Sequence, residues 1–110
     1  MKKYKILSLL LLLASGNCFS GELVKNAEIT RVGTSSDGVT DNIFITVSGG
    51  SGPCANMNII FLRENAPSAE FFNRLYSTAL FAFSTGSKKV RVYNPTSDSC
   101  TTATYIDLMK

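Results

Sequence analysis

Cys54 and Cys100 carry the most reactive side chains in the body of the chain, and two chemistries are open to a cysteine pair. As thiolates they would do redox work or hold a metal; as a disulfide they would staple the fold. Redox and metal roles need partners close by. The two stand far apart in sequence, and the chain contains no histidine, which removes the usual nitrogen ligand, the commonest general base and the familiar Ser and Cys triads. Asp37 and Asp41 flank a turn and are the one acid pair positioned to approach each other, for calcium or acid/base work. Two carboxylates in a turn are ordinarily solvated. Gly49, Gly50, Ser51, Gly52 and Pro53 are rich enough in glycine to suggest a phosphate loop, but the Lys-Ser/Thr pair is missing and the segment leads into a strand, not a helix. The residues therefore predict no enzyme, no metal and no cofactor.

The beginning of the chain decides between the two fates of the cysteines. Lys2, Lys3 and Lys5 precede the apolar run Ile6 to Ala14 and then small and polar residues up to Ser20. This is the pattern of a bacterial-type secretory signal peptide, with cleavage expected after Ser20. The apolar run is too short to span a bilayer comfortably, and the residues before Cys18 (Ser15, Gly16 and Asn17) lack the features of a lipidation site. Residues 1–20 are thus expected to be removed, leaving residues 21–110 as a single domain, periplasmic or secreted, with no integral membrane segment. In an oxidising compartment Cys54 and Cys100 are expected to be bonded. The formal charge of +3 leaves with Lys2, Lys3 and Lys5. A neutral mature chain has no electrostatic footprint for nucleic acid.

The elements that must position these residues are short strands around one helix. Phe71, Phe72, Leu75, Tyr76, Ala79, Leu80 and Phe83 recur at steps of one, three and four, predicting a helix over 68–85 with that side toward the core. Ser68 is placed to cap its first turn and Gly86 to close its last. Phe81 falls instead among Arg74, Ser77, Glu70 and Thr85 on the polar side. Phe81, Arg74 and Ser77 are therefore the candidate oligomer interface. Before the helix, residues 27–34, 42–48 and 56–62 read as strands, the second with Ile43, Ile45 and Val47 on one face. After it, residues 89–94 and 100–108 read as two more. Phe44 and Phe61 resemble the stacking platform of nucleic-acid OB-folds, but the absent charge and the export signal assign both rings to the core. The order β-β-β-α-β-β is that of a mostly β, five-stranded OB-type barrel with its helix between the third and fourth strands. An open α+β sandwich has the same order.

The segment Glu70–Tyr93 carries a resemblance. Phe71, Leu75, Tyr76, Ala79, Leu80, Thr85, Gly86, Val90, Arg91, Val92 and Tyr93 look like the helix and following strand of the B subunits of subtilase cytotoxin and related pertussis-like AB5 toxins. Weaker echoes are the Ile29-Thr30 pair and the cysteine before the third strand. The resemblance implies an OB-type subunit in a ring of five, with helices around a central pore, binding sialylated glycans and carrying a separate catalytic subunit. It would give Phe81 a neighbour. Aligned by eye, the family's sugar-gripping serine falls at Lys25 and its sugar-packing tyrosine at Asn94, so neither glycan contact carries over. The expectation is an exported, non-enzymatic binding subunit that recognises a glycan or an exported partner protein and assembles as a homo-oligomer, pentameric by resemblance. A monomeric periplasmic or secreted structural or inhibitory module is the alternative.

Overall fold

Apolar alternation is clearest in NIFITVS, and a computed structural model, which describes residues 21–86 and 89–110, places a strand there. The expected signal peptide lies outside the described residues. The elements are β1 (Glu22–Ser36), β2 (Asp41–Ser48), β3 (Asn58–Leu62), a 3-10 turn (Arg63–Asn65), helix α1 (Ala69–Thr85), β4 (Lys89–Tyr93) and β5 (Tyr105–Met109). All pairings are antiparallel, in one five-stranded sheet ordered β3-β2-β1-β4-β5. The fold is mostly β with one helix, in the expected order of elements. The sheet is not closed into a barrel: β3 and β5 are its two edges. Two backbone hydrogen bonds join β3 to the segment before β5, Ile60 N–H to the Cys100 carbonyl (2.8 Å) and Ala103 N–H to the Ile60 carbonyl (3.0 Å).

One face of the sheet makes the core. Ile43, Ile45 and Val47 of β2, Ile59 and Phe61 of β3, and Val90 and Val92 of β4 are buried at alternate positions, as a period of two requires. β1 breaks that period. Its register shifts between Glu22 and Val24, between Val24 and Ala27, and again between Ile29 and Arg31, and Leu23 and Val24 are both buried as neighbours. Bulges of this kind hide a strand from alternation, which is why β1 starts five residues before the expected residue 27.

Helix α1 begins and ends where its capping chemistry predicts. Ser68 is extended and its Oγ accepts the Phe71 N–H at 3.1 Å; Gly86 closes the last turn at φ 67°. Ser68→Ala should lower stability by about 1 kcal/mol, read as a shift in denaturant midpoint with an unchanged slope.

The buried seam of α1 differs from the expected one. Leu75, Ala79 and Ala82 are buried, whereas Leu80 and Phe83 are exposed. Small residues let a helix lie close to what it packs on, so the alanines take the contact and the larger side chains turn out at the margins. β5 is also shorter than expected. Cys100 and Thr101 lie in a turn, and the segment changes partner on the way: Ala103 N–H bonds to Ile60 of β3, and Thr104 N–H to Tyr93 of β4 at 3.1 Å.

Candidate functional site

Cys54 and Cys100 form a disulfide across a sequence separation of 46, with their Cα atoms 5.8 Å apart. Cys54 is fully buried and its N–H donates to the Leu23 carbonyl at 2.8 Å. The glycine-rich turn delivers it there. At Gly52, φ is 123° and a Cβ would stand 2.6 Å from the Leu23 carbonyl oxygen, so only glycine lets the loop pass this close to β1. The turn thus serves the disulfide.

Asp37 is engaged in its own turn. Its Oδ1 accepts the N–H groups of Thr40 (2.7 Å) and Val39 (2.8 Å), and these bonds hold its carboxyl below the usual aspartate value. Asp41 opens β2 beside a different hollow, of about 410 Å³, shared with Thr34, Ser35, Ser36, Asn42 and Phe72. Among the described residues no cluster of acids, cysteines and histidines is suited to a metal ion.

The candidate interface residues lie on one side of α1, and all are exposed. Arg74 and Ser77 bond back to the helix itself, Nε to the Glu70 carbonyl (3.5 Å) and Oγ to the Asn73 carbonyl (3.0 Å), while the Phe81 side chain stands 52% exposed. Two residues that the periodicity assigned to the core join it at the surface. Leu80 is 41% and Phe83 44% exposed; at about 100° per residue Leu80 flanks Phe81, whereas Phe83 stands nearly opposite it on the helix.

The outer face of the sheet holds two further hollows. The first, of about 360 Å³, is bounded by Arg91, Tyr93, Pro95, Tyr105 and Asp107. Arg91 is paired to Asp107 (2.6 Å) and to Glu22 (3.6 Å) and lies 5.6 Å from the centre of the Tyr93 ring. Tyr105 stands 6.0 Å from Tyr93 and meets Phe71 of α1 edge-on at 5.9 Å.

The second, on β1, β2 and β3, is built around Phe44. Phe61 is in the core as expected, but Phe44 is not: it stands on the opposite face, half-buried, with the Arg31 guanidinium 5.1 Å from its ring centre. Its ring tip covers Gly33, where a Cβ would collide with it. Alternation from Ile43 and Ile45 already puts Phe44 outward. Arg31 and Asn58 carry no such local signal, because the register across three strands is what brings them to Phe44.

These surfaces can stack, hydrogen-bond and present charge. Packing reaches the first described residue: Gly21 is buried against the Tyr93 ring, and its carbonyl accepts the Asn94 N–H at 2.8 Å. Comparison with curated proteins and with solved structures gives no match. A family model does match, from residue 4 to residue 110, and the chain belongs to that family, a family of unknown function (DUF5992).

Proposed function

We propose that the mature chain is an exported, non-enzymatic binding subunit that self-associates through the outer side of α1 and recognises a glycan or a partner protein. The observation that carries this reading is the exposure of Phe81 on the outer side of α1, with exposed Leu80 about a quarter-turn around the helix from it. A large aromatic standing out among Arg74 and Ser77, with a second apolar side chain adjoining, is the kind of surface that protein contacts cover. Fully burying a side chain of this size is worth about 1.5–3 kcal/mol, so two half-exposed ones hold a useful share of an association energy. Further copies of this chain are the occupants the reading commits to, with Arg74 and Ser77 at the polar margin.

Export is supported by the basic-then-apolar start of the sequence and by the Cys54–Cys100 bond. Among the described residues no helix is long and apolar enough to cross a membrane. The finer fold reading is an OB-type barrel with one unsealed seam. Its support is the strand order together with the two hydrogen bonds that join β3 to the segment before β5, since an OB barrel closes between its third and fifth strands.

The mass of the mature species in solution tests the assembly. The wild type is expected to run as a discrete oligomer, and Phe81→Glu as a folded monomer that keeps the wild-type circular dichroism spectrum and loses only the concentration-dependent part of the wild-type stability. A wild type that stays monomeric at every concentration overturns self-association and leaves a monomeric secreted or periplasmic module.

A further inference from the structure

The hollow around Phe44 has a volume of about 240 Å³ and is bounded by Arg31, Ser35, Asn42, Phe44, Asn58 and Ile60. The register makes the six converge. Arg31, Gly33 and Ser35 stand opposite Thr46, Phe44 and Asn42, and Phe44 and Thr46 stand opposite Ile60 and Asn58.

Its chemistry is one-sided. No acid lines it, and no described carboxylate pairs with Arg31, whereas Lys89 is paired with Glu28 at 2.8 Å and Arg91 with Asp107 at 2.6 Å. Asn58 Oδ1 accepts the Thr46 hydroxyl hydrogen at 2.5 Å, which leaves the Asn58 amide hydrogens to donate elsewhere. Ser35 adds a hydroxyl. The floor is apolar, from Phe44 and Ile60. Asn42 Oδ1 is buried with no hydrogen-bond partner among the described residues; as an acceptor it has nothing to offer an anion, and the donors at the hollow are those of Arg31, Asn58 and Ser35.

We infer that this hollow binds a carboxylate carried on an apolar body, as at the C-terminus of a peptide ending in an apolar residue. The Arg31 fork matches the two oxygens of a planar carboxylate. Asn58 and Ser35 supply further donors, and Phe44 with Ile60 takes the apolar part. The inference does not depend on self-association, because the hollow lies on the sheet and the assembly surface on α1.

The probe is N-acetyl-leucine, titrated into the isotope-labelled mature protein while the side-chain N–H signals of Arg31, Asn42 and Asn58 are followed by NMR. Those signals should move in a saturable way, and N-acetyl-leucinamide, which lacks the charge, should not move them. Arg31→Gln should weaken binding about tenfold or more, the equivalent of losing a hydrogen bond to a charged group. Arg31→Lys, which keeps the charge and loses the planar fork, should fall between. Lys25→Gln removes another β1 cation and should change nothing, and Phe81→Glu should bind as wild type does. The proposal is overturned by an absence of shifts, by equal shifts with the leucinamide, by glucuronate binding as tightly as N-acetyl-leucine, or by an Arg31→Gln variant that keeps its native spectrum and full affinity.

Discussion

Replacing Cys54 and Cys100 together by alanine should lower the unfolding free energy by about 4 kcal/mol, the chain-entropy value for a bond spanning 46 residues. A domain of this size has about 5–15 kcal/mol in total, so the variant should be close to unfolding at 37 °C. Beyond the entropy there is a local reason to expect a large effect. The bond ties the turn before β3 to the segment before β5, and the backbone bonds between Ile60 and that segment begin at Cys100 itself. Without the covalent tie, that seam opens more readily. Alanine is the better test than serine, because Cys54 is fully buried and a hydroxyl there would lack a partner. The measurement is a urea midpoint with and without reductant. Reductant should bring the wild type down to the variant and leave the variant where it is; a wild type insensitive to complete reduction would show that the bond contributes nothing.

Features written in local chemistry were legible in the sequence. Ser68 and Gly86 bracket α1 because a capping hydroxyl and a left-handed glycine act within a few residues of themselves. The alternation of β2 is equally local. The pairing of the cysteines followed from the absence of histidine and the apparent export signal.

What escaped depends on neighbours distant in sequence. The start of β1 was hidden by bulges that put Leu23 and Val24 inward together. The seam of α1 was misplaced because periodicity ranks Leu80 and Phe83 above Ala82, whereas the closeness of packing buries the alanine and exposes the two larger chains. Arg31 and Asn58 are unremarkable until three strands are in register. The hollow around Phe44 therefore became visible only with the pairing, although the outward turn of Phe44 was already implied by the alternation around it, whereas Phe81 on α1 was legible from helical spacing alone.

That register makes its own prediction at the two phenylalanines. Phe61 faces the core, 1% exposed, opposite Ile43, while Phe44 lies one position along β2 and so on the other face, opposite Ile60. Phe61→Ala should cost about 3–5 kcal/mol, the transfer term plus the cavity left among side chains that cannot collapse into it. Phe44→Ala should cost about 1 kcal/mol, because its ring is only half removed from water and leaves no enclosed space. The ranking should reverse for the carboxylate probe: Phe44→Ala loses the floor under Arg31 and binds weakly, whereas a milder core change, Phe61→Leu, keeps affinity as long as it stays folded. Equilibrium unfolding of the two alanine variants checks the order of the stabilities. Since a slip of one residue exchanges the faces of a strand, a greater loss at Phe44 than at Phe61 would mean that β2 or β3 is out of register, and both the core and the hollow would have to be redrawn.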